Sequence, residues 1–155
     1  MSDVTIRPIR PEDAGEVLTL QRAAFVSEAQ IYGTVDMPVF TQTLDEVRAE
    51  LDDNLGVVAV DGARIVGAAR AKADGTLLLI GRIAIAPDQQ GGGIGSQLLA
   101  AVEARGRDAG CTEAELFTGS LSEANLRLYE RAGYRECDRV PGEGSDQVFL
   151  RRPLV

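Results

Sequence analysis

The stretch Ile83-Ala84-Ile85-Ala86-Pro87-Asp88-Gln89-Gln90-Gly91-Gly92-Gly93-Ile94-Gly95-Ser96 decides how the rest of the chain is read. An apolar strand reaches Pro87, which cannot continue a sheet ladder. A glycine cluster follows, and a helix begins directly behind it. This order aims several backbone N–H groups at one spot, at the positive end of the helix. Glycine keeps side chains away from that spot and permits positive φ. The group that fits there is a phosphate or a pyrophosphate.

Three kinds of phosphate loop compete for the stretch. A P-loop ends in Gly-Lys-Ser/Thr, and Gly95-Ser96 stands here without the lysine, which opposes a nucleotide-binding phosphotransferase. A dinucleotide fingerprint needs G-x-G-x-x-G after an early parallel strand. Gly91 and Gly93 supply two of those glycines, but Ser96 holds the third position and hairpins precede the turn. The third kind binds the pyrophosphate of coenzyme A, and the surroundings of the loop favour it.

Upstream, residues 57–60 and 65–73 flank Asp61-Gly62, and Asp74-Gly75 leads into residues 77–85. Both dipeptides are strong hairpin signals, so three antiparallel strands in series are expected. A first strand is expected over residues 5–9. Pro11, Glu12 and Asp13 read as a first helical turn, with proline where an N–H is dispensable and acids facing the helix dipole. Val17, Leu18, Leu20, Ala24 and Phe25 follow at helical spacing. Residues 30–40, with Gly33 and Pro38, read as a loop, and Leu44, Val47 and Leu51 mark a second helix. Downstream, a helix from about residue 93 to 109 shows Ile94, Leu98, Ala101 and Val102 on its apolar face and stops at Gly110. Residues 114–118 read as a strand and 123–132 as a helix ended by Gly133. Residues 134–138 and 147–151 read as two final strands. The sum is an α/β fold, a mixed sheet flanked by helices, in a single domain over residues 1–155.

Composition narrows the function. A chain of 155 residues with 45% hydrophobic content belongs to the globular class and is long enough to bury a core unaided. No apolar run approaches the roughly 20 residues of a membrane helix. Met-Ser-Asp-Val-Thr at the start shows neither a basic segment nor an apolar signal core. A cytoplasmic protein without a membrane partner is expected. Cys111 and Cys137 lie at no metal-ligand spacing and read as reduced, buried thiols, so no metal is expected. The absence of histidine excludes Ser-His and Cys-His catalysis and His-ligated metals. A general base here is a carboxylate, a tyrosine or water. A net charge of −8 argues against nucleic acid as a partner.

With these residues in view, Gln90-Gly91-Gly92-Gly93-Ile94-Gly95 resembles the pyrophosphate loop Gln/Arg-x-x-Gly-x-Gly/Ala of the GCN5-related N-acetyltransferases. Residues 83–87 resemble the strand that leads into it. Asn125-Leu-Arg-Leu-Tyr129-Glu-Arg-Ala-Gly133-Tyr134 resembles the family's second signature, an asparagine, a tyrosine and a closing glycine-aromatic pair. The order of elements matches over essentially the whole chain.

The resemblance implies an acyl-CoA N-acyltransferase fold, with a mostly antiparallel sheet splayed in the middle and acetyl-CoA in the gap. It implies direct transfer of an acetyl group to a primary amine in a ternary complex. Backbone groups of Ile83 and Ile85, on either side of Ala84, would pair with the pantetheine arm. N–H groups of Gly91, Gly93, Ile94, Gly95 and Ser96, in the loop that Gln90 and Gly92 complete, would hold the pyrophosphate. Asn125 would bond the cofactor arm, and Tyr129 would protonate the departing thiolate. The family often has Arg or Lys where Gly92 stands, so this loop leans more on backbone amides, with Arg127 and Arg131 as candidate replacements. Arg82 stands near the place where many members carry a carboxylate that relays the amine's proton, and a water chain takes that role here. Glu28, Tyr32, Asp36 and Phe40 fall in the region that lines the acceptor site in similar proteins, and homodimers are frequent among them.

The chemistry agrees with the resemblance. Direct transfer needs an unprotonated amine, a polarised carbonyl and an acid for the sulfur. A tyrosine is protonated at neutral pH, and no nucleophilic residue is required. Residues 1–60 carry 4 basic and 11 acidic side chains, a net of −7, against −1 for the rest. Residues 28–53 hold Glu28, Asp36, Asp45, Glu46, Glu50, Asp52 and Asp53 against Arg48 alone. A cleft of one sign concentrates counter-ions, which points to a small cationic amine such as a polyamine or amino sugar, although a peptide N-terminus and a protein lysine also fit. The competing function is a non-catalytic acyl-CoA sensor, against which an intact Tyr129 counts.

Overall fold

The computed structural model describes residues 4–155. Met1, Ser2 and Asp3, which open the stretch read as lacking an export signal, lie outside the described residues. Strands β1 (Val4–Pro8), β2 (Val57–Asp61), β3 (Arg64–Asp74) and β4 (Leu77–Ile85) run antiparallel in series. Gly62 and Gly75 turn the two hairpins at φ +63° and +61°, a conformation that residues with a Cβ disfavour. The remaining strands are β5 (Glu113–Gly119), β6 (Arg135–Pro141) and β7 (Asp146–Pro153), and the sheet order is β1-β2-β3-β4-β5-β7-β6.

The centre of the sheet is splayed. β4 and β5 are parallel and pair only at Leu77–Glu113, Leu78–Ala114 and Leu79–Glu115. Beyond these pairs the two strands part, while β4 stays joined to β3 and β5 to β7 along their other edges. A cleft therefore opens between the C-terminal halves of two strands whose facing backbone groups lack a ladder partner. On the β3 side, Ala68 pairs with Ala84 and Arg70 with Gly81, so Arg82 and Ile83 together oppose Ala69. This is a β-bulge, which re-aims side chains locally, and Arg82 adopts φ +51° in it.

Helix α5 (Ile94–Asp108) buries Ile94, Leu98, Leu99 and Val102 against the sheet. Two glycines let it come close. A Cβ on Gly67 would lie 2.9 Å from Ile94 Cγ2, and one on Gly106 would lie 2.5 Å from Leu78 Cδ2. α6 (Glu123–Arg131) ends before Gly133, at φ +99°. Behind it, the fully buried Tyr134 donates to Glu103 Oε2 at 2.7 Å, and Arg152 meets the other Glu103 oxygen at 3.2 Å. The aromatic that closes the second motif is thus an anchor for the helix end.

On the opposite face lie α1 (Ala14–Ala24), α2 (Val26–Tyr32), α3 (Pro38–Thr41) and α4 (Leu44–Glu50), preceded by a 3-10 turn at Pro11–Asp13. Here the structure corrects one expectation. Residues 30–40 are the end of α2, a short connection and α3, rather than a loop. Gly33 closes α2 at φ +70°, its N–H bonding Ala29 O at 2.8 Å, and Pro38 opens α3 at a position where its missing N–H costs nothing. Helices of one or two turns show too little periodicity to be read from spacing. Thr43 and Glu46 form a reciprocal capping box on α4, at 3.2 and 2.9 Å. A second correction concerns the thiols. Cys111 is buried, but Cys137 is exposed, because β6 ends the sheet order and every residue on it is exposed. Among the described residues no helix is long and apolar enough to cross a membrane.

Candidate active site

Two cavities, of about 630 and 400 Å3, occupy the gap and meet along Phe25, Glu28, Ile83, Ser122 and Asn125. The larger runs past Ile83, Ala84 and Ile85 to Gln90, Gly91, Gly93, Ile94, Gly95 and Ser96. The first backbone bond of α5 runs from Gln97 N to Gly93 O, at 3.2 Å. The N–H groups of Ile94, Gly95 and Ser96 therefore have no acceptor within the helix, and the helix dipole adds positive potential there. Gly91 and Gly93 adopt φ +83° and +86°, with nothing within 4 Å of a hypothetical Cβ. The residues present fit a pyrophosphate: open space, free donors and the positive end of a fifteen-residue helix.

The glycines of the loop divide by role. Gly95 is buried, and its Cβ would meet Leu128 Cδ2 at 3.1 Å and Ile85 Cδ1 at 3.3 Å. It is small so that α5, α6 and β4 can close on one another, and not to admit a phosphate. Gly92 is exposed, outside the cavity lining, and only Gln89 O at 3.6 Å stands near its missing Cβ. A basic side chain would fit there. Of the two candidate replacement cations, Arg131 lines the cavity and Arg127 does not.

At the junction a hydrogen-bond network joins parts of the chain more than ninety residues apart. Glu28 Oε2 accepts from Ser122 Oγ at 2.7 Å, and Glu28 Oε1 accepts from Asn125 Nδ2 at 2.7 Å. Asn125 Nδ2 also donates to Thr118 Oγ1 at 3.3 Å. The Tyr32 hydroxyl is 2.7 Å from Ser122 Oγ. Both amide protons of Asn125 are thereby engaged, which leaves Oδ1 as the atom that could accept from a bound molecule. Gly119 permits this arrangement, since any Cβ there would collide with the Tyr32 hydroxyl.

Tyr129 lines the smaller cavity and is 6% exposed, its ring edge-on to Tyr134 with centroids 6.4 Å apart. Burial pushes its phenol well above the usual tyrosine range, and the Glu28 carboxylate adds to the shift. Its hydroxyl therefore keeps its proton throughout the physiological range. Glu28, Tyr32 and Asp36 also line this cavity, whereas Phe40 does not. Of the seven acids between residues 28 and 53, Glu28 and Asp36 reach it. Glu46 caps α4, Asp45 pairs with Arg48 at 3.2 Å, and Glu50 contacts Arg70 at 3.4 Å. Sequence reasoning missed Ser122, Thr118 and Phe25 as site residues. Ser122 occupies the N-cap position of α6, yet its side chain makes no cap bond. It serves Glu28 instead, and only a contact across the fold reveals that.

No sequence among the curated proteins matches the chain. Solved structures match its fold closely. PaiA N-acetyltransferase from Thermoplasma acidophilum, in complex with coenzyme A, superposes with a TM-score of 0.83 at 16% identity over 97% of this chain and 99% of that one. YncA from Salmonella typhimurium, with its cofactor acetyl-CoA, gives 0.80 at 19% identity over 99% and 95%. The ribosomal-protein-S18-alanine N-acetyltransferase of Escherichia coli gives 0.80 at 17% identity over 98% and 94%. At these identities the likeness speaks for the fold. The sequence itself is matched over residues 17–134 by the family described as Acetyltransferase (GNAT). The stretch contains the glycine loop, the cleft between β4 and β5, and Tyr129; the chain belongs to the GNAT acetyltransferase family.

Proposed function

We propose that the chain, as one catalytic domain, carries the acetyl group of acetyl-CoA directly to a primary amine in a ternary complex. The observation that carries this is the meeting of the two cavities at Ile83, one ending in a cradle of free N–H groups and the other holding Tyr129. The donor supplies a thioester. Backbone N–H groups on the unpaired edge of β4 polarise its carbonyl. Glu28, at the junction, holds the incoming ammonium, and water carries off the proton that the amine must lose. The C–N bond forms, the C–S bond breaks, and Tyr129 gives its proton to the leaving sulfur.

The two cavity-lining acids, Glu28 and Asp36, support a single ammonium group rather than a polycation. A non-catalytic acyl-CoA sensor would have no use for a buried, protonated phenol in the smaller cavity. A thiol-release assay over a panel of primary amines tests the proposal, with Tyr129→Phe as the control. Turnover should fall by roughly 10²–10⁴-fold on loss of the acid, with coenzyme A affinity unchanged by calorimetry. If no amine releases thiol from a protein that binds acetyl-CoA, the sensor function takes its place.

A further inference from the structure

The wall of the smaller cavity carries one cation, Arg82, with a second, Arg70, buried near it, and the transfer chemistry uses neither. Arg82 lines this cavity. It makes no ion pair among the described residues, and its Nε is buried without a hydrogen-bond partner. Arg70 pairs with Gly81, the residue before Arg82, across the β3–β4 ladder. It is 4% exposed, and its three guanidinium nitrogens find no hydrogen-bond partner. Its contact with Glu50, at 3.4 Å, is an ion pair without hydrogen-bond geometry. Burial lowers the Arg70 pKa most, opposed by Glu50, and the charge of Arg82 lowers it further, so the two guanidiniums feel each other.

One ion pair without hydrogen-bond geometry leaves the buried Arg70 guanidinium poorly compensated, the half-buried Arg82 has no ion pair among the described residues, and unsatisfied buried donors on both add to the cost. The backbone adds strain, because Arg82 sits at φ +51°, a conformation that residues with a Cβ disfavour. Three unfavourable features thus converge on one wall. Gly81 lines the same wall, and nothing lies within 4 Å of its missing Cβ. The space beside the two cations is open.

We infer that this wall is an anion subsite, in which Arg82 binds a carboxylate of the acceptor, and that the acceptor is an aminocarboxylate. This rests on the proposed transfer to an amine at the same cavity. The amine of the acceptor lies towards Glu28 and Tyr129, and its carboxylate lies on Arg82, where it supplies the counter-charge that Arg82 lacks. Both ends of a free amino acid would be satisfied in a cavity of about 400 Å3. A polyamine would set a second ammonium against two guanidiniums. The bulge is the device that puts Arg82 there, since two residues of β4 share the place of one.

The test uses glycine, β-alanine, γ-aminobutyrate and L-norleucine, each beside its carboxamide. kcat/KM is measured by thiol release, and binding of the same compounds to the coenzyme A complex is measured by calorimetry. Amidation lowers the pKa of an α-amine, so amine reactivity alone favours the amide. A free acid better than its amide by tenfold or more, in turnover and in binding, supports the subsite. Arg82→Asn suits the backbone, because asparagine tolerates positive φ, and should erase the gap between acid and amide. Acid and amide within about threefold, a preference for the amide, or a gap that survives in folded Arg82→Asn would each overturn the inference. Loss of thiol release with every amine would instead sink the transfer reaction, and the calorimetric comparison would still decide the subsite.

Discussion

Glu28→Gln isolates a single charge at the point where the two cavities meet. The substitution keeps the side chain's size and can keep its network. Oriented with its oxygen towards Asn125 Nδ2, the new amide donates through its nitrogen to Ser122 Oγ, whose own proton then turns to the Tyr32 hydroxyl. Every partner of Glu28 remains satisfied, so stability should change little. What disappears is the negative charge that faces the acceptor ammonium. A hydrogen bond to a charged group contributes about 1.5–3 kcal/mol against about 0.5–1.5 for a neutral one. The loss of about 1–2 kcal/mol predicts a fall of roughly 5–30-fold in kcat/KM for the amine. It should appear mainly in KM, with the KM for acetyl-CoA unmoved. Glu28→Ala differs, because it leaves Asn125 and Ser122 facing an emptied position, at about 1–3 kcal/mol for each group left unsatisfied. Its melting temperature should drop measurably, whereas that of Glu28→Gln should not. The assay is steady-state thiol release at varied amine and saturating acetyl-CoA, alongside thermal melts of both variants. If Glu28→Gln keeps kcat/KM within about threefold of the parent while melting normally, Glu28 does not hold the acceptor and its role is confined to positioning Ser122 and Asn125.

Four further outcomes follow from the same geometry. Gly93→Ala forces a Cβ onto a backbone at φ +86° where α5 begins and should weaken coenzyme A binding by more than tenfold in calorimetry. Gly92→Arg, at an exposed position with an ordinary φ, should tighten binding by up to about fivefold, the gain of one exposed ion pair. Because burial raises the Tyr129 phenol and only its protonated form is the acid, kcat at saturating acetyl-CoA should show no falling alkaline limb up to pH 10. A limb below that pH in the parent that vanishes in Tyr129→Phe would refute the direction of the shift. Gly106→Ala gains up to about 1 kcal/mol in helix propensity but drives a Cβ into the fully buried Leu78, and overpacking costs about 1–3 kcal/mol. The net effect should be a lower melting temperature, and an unchanged or higher one would show that Leu78 can yield.

What could be read from sequence is what neighbours in the chain decide among themselves. Asp61-Gly62 and Asp74-Gly75 announce hairpins because the turn needs positive φ at once, whatever surrounds it. The strand, glycine loop and helix around Gly91–Gly93 are legible for the same reason, and with them the free N–H groups at the helix start. The motif that singles out Tyr129 leads to a residue on the smaller cavity, although its spacing with Leu126 and Ala132 alone favours core.

Tertiary structure decided everything that depends on distant partners. Glu28 meets Ser122 and Asn125 across more than ninety residues, so neither side of that network signals the other locally. Gly95 looks like a phosphate glycine in the loop, but packing against Leu128 and Ile85 is what requires it. The acids of residues 28–53 form one cluster in sequence. In space they scatter, because the helix ends and the ion pair with Arg48 claim some of them before any cavity can. Arg82 is an ordinary basic residue on a strand until a one-residue mismatch between β3 and β4 turns it into the cavity wall. Local signals set the elements and the glycine turn, while register and long-range packing chose which charges line the cavities.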